Sequence, residues 1–346
     1  MNQITTIAID LAKQVFQVAA ENARGEEQWQ QRLRSREAFI SFIDSLQPPL
    51  TVGLEAGLGT QAWARELSAR GLEVRVLPAQ RVADHRSGPK NDANDARAIL
   101  RALRDRSIHP VPIKSVEQLT LQALHRVRAG WIRRRSAVGN QMRGLLIEHG
   151  VVMAQGNAAL VRGLNTVLAD AGVPIPDRLR ELLAQLWGEW EGLGERIDAM
   201  DGEFKTLARQ HPDARRLLGI PGIGPMSATA MVCKGLDPER FANARQFAAY
   251  FGLVPKQHSS GSRQRLGRMS RHGDRYLCSL MINGAHALIR TTRADAHDAA
   301  SRRIRRWQQR HGAKGAAVRL ANHNLRVIWA LLHQRTDYHR EVPIAT

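Results

Sequence analysis

Two β-rich runs near the start of the chain, Ile4 to Asp10 and Leu50 to Glu55, finish in the same way, on a carboxylate. One acid closing a strand is ordinary surface chemistry. Two constrain the fold once the runs around them are laid out in order. Val15 to Ala20 and Gln28 to Leu33 are two further strand candidates, with a turn at Asn22 to Gly25 between them. Ser35 can cap a helix carrying Phe39, Phe42, Ile43 and Leu46, closed by Pro48 and Pro49. A helix around Gln61 to Ala69 stops at Gly71, Glu73 to Leu77 reads as another strand, and a polar loop follows. The succession is three strands in meander, then helix, strand, helix, strand, helix.

The last helix of that succession opens in Lys90-Asn91-Asp92-Ala93-Asn94-Asp95-Ala96-Arg97. Asp92 and Asp95 project from one side of its first turn, on the face that continues through Ala96, Ile99, Leu100 and Leu103, which turns both carboxylates inward. The plain alternative is a pair of acids favoured by the helix dipole. The order of elements is the ribonuclease H-like arrangement, in which the first and fourth strands are neighbours. Asp10 and Glu55 then lie close together, and the helix brings Asp92 and Asp95 over them. Four carboxylates crowded at one sheet end repel unless divalent cations neutralise them, and hard oxygen donors suit Mg²⁺ or Mn²⁺. Two such ions about 4 Å apart would polarise a phosphodiester and stabilise its attacking and leaving oxygens.

The charge balance points to the substrate. Lys and Arg number 51 against 32 Asp and Glu, a formal net charge of +19, so a polyanion, most simply nucleic acid, is the expected partner. At 346 residues and 43% hydrophobic content the chain has room for two or three folded domains. Cys233 and Cys278, the only two cysteines, offer neither metal-ligand spacing nor a disulfide framework. With no signal segment and no apolar run of the roughly 20 residues a membrane helix needs, the chain is expected in the cytoplasm, with no membrane partner.

Beyond Pro110 to Pro112, Val116 to about Leu146 has a long helical pattern whose polar face carries Arg126, Arg128 and Arg133 to Arg135. Gly150 to Pro176 is less regular. Leu183, Leu186, Trp190, Leu193, Ile197, Met200, Phe204 and Leu207 then repeat at spacings of three and four, a coiled-coil seam that could pack within the chain or against another subunit. His211-Pro212 marks a boundary, giving expected domains at 1–112, 113–210 and 211–346. Leu217 to Ala230, with Gly222 and Gly224, has the form of a helix-hairpin-helix turn, able to hold a phosphate on backbone N–H groups or simply to join two helices.

Further on, Lys256 to Arg310 holds thirteen Lys or Arg against three Asp. Its first part sets Ser259-Ser260-Gly261-Ser262 among Lys256, Arg263, Arg265, Arg268, Arg271 and Arg275. Such a loop can clamp phosphates, or it can present a serine hydroxyl to a phosphodiester while arginines stabilise the charge that develops. Leu277 to Ile289 and Val318 to Leu332 read as core helices, and Arg302, Arg303, Arg305 and Arg306 beside Trp307 form a basic helix suited to a nucleic-acid backbone.

Taken jointly, these stretches resemble the bacterial insertion-sequence transposases of the IS one-ten family, in particular their eleven-eleven subgroup. The resemblance spans nearly the whole chain. Ala8-Ile9-Asp10, Leu54-Glu55-Ala56 with Trp63 to Leu67, and Lys90 to Ala96 resemble the family's DEDD domain, a relative of the junction resolvase RuvC. Ile220 to Gly224, Arg245 to Ala249, Gly252 to Pro255, and Ser260-Gly261 leading to Arg268-Met269-Ser270 resemble its transposase domain. The resemblance implies that Asp10, Glu55, Asp92 and Asp95 are metal-binding catalytic carboxylates and that Ser260 is a nucleophile forming a phosphoserine link to DNA, with Ser259 and Ser262 flanking it. It further implies a structured bridge RNA that pairs with donor and target DNA, and a homo-oligomer, dimer to tetramer, acting at the bacterial nucleoid. Around Glu55 the chain departs from the family's commoner Glu-Ala-Thr-Gly or Glu-Ala-Cys-Gly, reading Glu55-Ala56-Gly57-Leu58-Gly59-Thr60. Two other readings of the residues are a metal-dependent junction resolvase that hydrolyses DNA without a covalent step, and a non-catalytic nucleic-acid-binding protein.

Overall fold

Alternation along the first strand divides two cores. Ile7 and Ile9 point to one face of the sheet and join Phe16, Phe39, Val52, Leu54 and Leu67, while Ala8 points to the other and joins Ala19, Ala96, Ile99 and Ala102. The computed structural model in which these faces are seen describes residues 3–12, 15–89, 91–257, 266–270, 273–292 and 298–339. It falls into two compact units, Met1–Glu117 and Gln118–Thr346.

In the first unit the elements run β1 (Ile4–Leu11), β2 (Phe16–Asn22), β3 (Glu27–Leu33), α1 (Arg36–Asp44), β4 (Thr51–Glu55), α2 (Thr60–Ala69), β5 (Glu73–Leu77), α3 (Ala79–Ala83) and α4 (Asp92–Arg104). The sheet order is β3-β2-β1-β4-β5. β1 pairs antiparallel with β2 and parallel with β4, as expected for the first and fourth strands. Helices α1 and α2 supply the core on the Ile7 face, where Phe16 and Phe39 stack with ring centroids 4.0 Å apart. α3 is a correction: its five residues lie in what reads as a polar loop, too short to carry a periodic signal.

Small residues bring α4 close to the other face. A Cβ built on Gly53 would stand 2.5 Å from Leu103 Cδ1 and 3.0 Å from Ile99 Cγ2. Two arginines of α4 pin it to the β2–β3 hairpin. Arg97 donates to both carboxylate oxygens of Glu27 at 2.8 and 3.0 Å and holds that carboxyl below the usual range, and Arg104 pairs with Glu21 and the Gly25 carbonyl. At its start, Asn91 Oδ1 accepts from the Asn94 N–H at 2.8 Å, an ordinary side-chain cap.

The second unit holds α5 (Val116–Ile147), α6 (Asn157–Ala169), α7 (Asp177–Gln210), α8 (Pro212–Leu217), α9 (Pro225–Val232), α10 (Ala244–Tyr250), β6 (Pro255–Gln257), β7 (Leu266–Met269), α11 (Arg275–Thr291) and α12 (Ala299–Gln334). This unit takes in 118–210 and 211–346, the greater part of one expected domain and the whole of another. α6 occupies the stretch that reads as irregular, and its Leu160, Leu164 and Val167 pack with Val138, Met142 and Leu146 of α5 and with Leu183, Trp190 and Leu193 of α7. The seam of α7 from Leu183 to Leu193 is thus packed against helices of its own chain. α12 joins the expected basic and core helices, with a break at Gly312, whose φ of 68° leaves the helical region. A buried His125 ties α5 to α9 and α11, its ring nitrogens lying 3.1 Å from Thr229 Oγ1 and 2.9 Å from the Tyr276 hydroxyl. Burial lowers its pKa to about 4, so at neutral pH this is an uncharged link. Among the described residues no helix is long and apolar enough to cross a membrane.

The close seat of α4 has a measurable consequence. Gly53→Val should drive two methyl groups into Ile99 and Leu103 and destabilise the first unit by about 1–3 kcal/mol in urea unfolding. An unchanged midpoint would mean that the glycine does not set the helix height.

Candidate active site

The ladder of β1 on β4 pairs Ile9 with Leu54, so Asp10 and Glu55 are the next residues along two adjacent parallel strands. Strands in a sheet lie about 4.8 Å apart, and residues in register share a face. Asp10 has the parity of Ala8 and Glu55 that of Gly53, so both carboxylates stand on the α4 side. The first turn of α4 lies over them. The electrostatics of Asp10 report the gathering: its pKa is pushed up to about 6, first by burial and then by Asp95, Glu55 and Asp92 in that order, with Arg86 opposing. Three carboxylates from distant parts of the sequence, Glu55, Asp92 and Asp95, are thus brought within electrostatic reach of Asp10.

The two aspartates of α4 are not equivalent. Asp95 is largely buried, and its Oδ1 sits 2.5 Å from Arg86 Nε in a charge contact without hydrogen-bond geometry. Asp92 is a correction to the inward orientation expected for both: its side chain is 54% exposed and pairs with Arg32 at 3.3 Å. As the first residue of α4 it precedes the turn at which the apolar stripe meets the sheet, so helical periodicity does not bury it. Arg86 and Arg32 escaped the reading of the sequence because nothing in the spacing of a loop or an edge strand names a partner. Only the fold brings them to the acids.

This donor set fits divalent-cation chemistry. It consists of hard oxygens only, it holds a carboxyl whose pKa burial and the neighbouring acids push up to about 6, and it includes a buried carboxylate oxygen with no hydrogen bond. Among the described residues no three such side chains close to chelating distances as they stand, and Arg86 supplies the positive charge next to Asp95.

The expected basic and serine positions lie in the second unit. The turn between α8 and α9 places Gly222 at φ 87° and packs it so tightly on α11 that a Cβ on Gly284 would stand 2.1 Å from the Gly222 carbonyl oxygen. Asn324 of α12 donates to the Pro221 carbonyl at 2.9 Å, and Gly224 is exposed at the start of α9. Lys256 is exposed on β6 and Arg275 at the start of α11. Ser260, with Ser259, Ser262, Arg263, Arg265 and Arg271, lies outside the described residues, as do Lys90 and the side chain of Arg268. The flanking strands β6 and β7 pair antiparallel, Ser270 donates to the Val254 carbonyl at 2.8 Å, and Asn322 to that of Leu253 at 2.8 Å. On α12, Arg302 and Arg306 are exposed, Arg305 is intermediate, and Arg303 leans over Trp307 at 5.8 Å with its Nε buried.

A carboxyl whose pKa rises on folding binds its proton more tightly in the native state, so stability falls as pH climbs from about 4 through 6 and the loss is complete above that. Asp10→Asn should therefore stabilise the metal-free chain at pH 7.5 by about 1–2 kcal/mol after solvent screening, a gain that disappears below pH 4. Denaturant unfolding at the two pH values checks this; a destabilised variant at pH 7.5 would contradict the crowding.

Comparison with known proteins completes the picture. Residues 7–150 match the model of the IS110 DEDD transposase domain, described as a transposase, and residues 214–300 match the transposase IS116/IS110/IS902 family. A "Probable family 20 transposase" of Pseudomonas aeruginosa is 42% identical over 97% of this chain and 98% of its own length. The transposase for insertion sequence element IS1111A of Coxiella burnetii is 34% identical, covering 98% of this chain and 92% of its own, and that for IS1328 of Yersinia enterocolitica is 32% identical, covering 98% and 99%. The four acids gathered by the first unit and the likeness along both units lead to one conclusion: the chain belongs to the IS110/IS116/IS902 family of insertion-sequence transposases, enzymes that cleave and transfer DNA strands.

Proposed function

We propose that the chain is an RNA-guided DNA recombinase of its own insertion sequence, cleaving and rejoining strands with Asp10, Glu55, Asp92 and Asp95 on divalent metal and with Ser260 as nucleophile. The observation that carries the reading is the gathering of Glu55, Asp92 and Asp95 around Asp10. In this reading Asp10 and Glu55, fixed at neighbouring strand ends, are the rigid half of the ligand set. Asp95 is released from Arg86, and the exposed Asp92 leaves Arg32. Mg²⁺, or Mn²⁺, supplies charge neutralisation of the phosphate and of the departing oxygen when bound. Ser260 Oγ forms a new ester bond to phosphorus as the bridging P–O bond of the strand breaks, and the departing sugar oxygen takes up a proton equivalent to the one the serine loses. One phosphoester replaces another, so the strand can be resealed without outside energy.

Sequence selection falls to a structured noncoding RNA of the element that pairs with donor and target DNA. The protein then needs to hold backbones rather than read bases. The net charge of +19 supports this, as do the exposed Arg302 and Arg306, Lys256, Arg275 and the Gly222–Gly224 turn. Arg303 and Arg305 would complete the basic face, with Arg263, Arg265, Arg268 and Arg271 around the serine. A homo-oligomer, from dimer to tetramer, would let the carboxylates of one subunit serve the serine of another. The three-part organisation, catalytic 1–112, helical 113–210 and serine-bearing 211–346, is the functional division this reading uses.

The test is a denaturing gel of the purified chain with Mg²⁺, element-derived RNA and end-labelled DNA spanning the element junction. A protein-linked DNA band should form only with RNA and vanish in Ser260→Ala. Free cleaved ends without an adduct, with or without RNA, would replace this mechanism by metal-dependent hydrolysis.

A further inference from the structure

Three residues beyond Glu55 the first unit holds Leu58 almost wholly in solvent, at 94% exposure. Single exposed apolar side chains are normal on protein surfaces, and exposure alone would mean nothing. Here it coincides with two other features, a locked turn and the place of that turn beside the carboxylates.

The turn is rigid. Gly59 has a φ of 81°, a left-handed conformation that calls for glycine. Thr60, 2% exposed, accepts from the Gly57 N–H at 3.0 Å and donates to the Glu55 carbonyl at 2.8 Å, so one hydroxyl fixes both the catalytic strand end and the base of the turn. The Ala56 N–H donates to the Leu77 carbonyl at 2.8 Å, and the Ala62 N–H to that of Gly59 at 3.0 Å, which closes the first turn of α2 behind it. Glycines on both sides leave Leu58 as the only side chain at the tip, with nothing within 4 Å of a Cβ built on Gly59. A narrow apolar point on a hydrogen-bonded base, three residues after Glu55, is the shape that enters between stacked bases and parts them.

We propose that Leu58 is a wedge that inserts into the base step next to the scissile phosphodiester. It would unstack that step and free the strand to bend toward the carboxylates. The occupant is a DNA base step, and the inference rests on the reading that strand cleavage takes place at Asp10, Glu55, Asp92 and Asp95. Stacking holds a duplex phosphate on the outside of a stiff helix, so a nuclease centre at a sheet end gains from a local break.

The test uses the full chain with its RNA and junction DNA carrying 2-aminopurine beside the mapped cleavage position, with Ca²⁺ in place of Mg²⁺ to hold the uncut complex. Wild-type binding should raise 2-aminopurine fluorescence. Leu58→Ser should bind within about threefold of wild type yet give no rise, and in Mg²⁺ it should cut about tenfold more slowly. Leu58→Met should restore both signals, and a mismatch at that step should rescue the Leu58→Ser rate, which a purely structural defect would not allow. An equal rise and rate in Leu58→Ser would overturn the wedge, as would a slow rate that no mismatch rescues. Asp10→Asn separates the two layers: if it fails to cut but keeps the rise, the wedge stands apart from the chemistry. If Asp10→Asn still cuts, the catalytic reading itself falls, whereas a wild-type complex that cuts without any rise removes the wedge alone.

Discussion

Electrostatic repulsion among carboxylates at one sheet end is the constraint on which the rest of the first unit depends. Asp10 cannot be placed beside Glu55 and beneath Asp95 without a cost, and the metal-free chain meets that cost in two ways. Asp10 keeps its proton up to about pH 6, and Arg86 sets its guanidinium against Asp95. Both offset a surplus of negative charge, and in the proposed mechanism a divalent cation would take over that task. The fold tolerates the arrangement because the parallel pairing of β1 and β4 and the apolar seat of α4 hold the backbone regardless of which charge is present.

That separation of frame and charge explains where the small residues fall. Ala8, Ala19 and Gly53 face α4 and let it approach, while the bulky Ile7, Ile9, Val52 and Leu54 fill the opposite face. In the second unit similar logic operates without the acids. Gly222 and Gly284 bring the α8–α9 turn against α11, and the buried His125, Thr229 and Tyr276 link three helices through uncharged hydrogen bonds. The exposed arginines take no part in that core.

The strands that carry Asp10 and Glu55 at their C-terminal ends were legible because β-branched runs bounded by turn residues have few other readings, and their order implied that they are neighbours. What could not be read was anything decided by a third dimension. Helical spacing puts Asp92 and Asp95 on one side, but only the distance of each turn from the sheet leaves Asp92 in solvent and buries Asp95. The pairing of Arg86 with Asp95 and of Arg32 with Asp92 joins elements whose sequence spacing carries no signal. The α7 seam announced a face that could pack on α5 or on another subunit, and the irregular-looking stretch before it proved to contain a further partner, α6. The break at Gly312 inside α12 left no mark stronger than one glycine among many.

The central claim of the proposed mechanism is that a divalent cation binds beside Asp10 and, below about pH 6, displaces its proton. Calorimetric titration of the metal-free chain with Mg²⁺, in buffers of different ionisation enthalpy, counts the protons released on binding. With the Asp10 pKa at about 6, binding should release about half a proton per protein at pH 6 and almost none at pH 8, with tighter binding at the higher pH. Binding that releases the same number of protons at both pH values, or no saturable binding at either, would contradict the account.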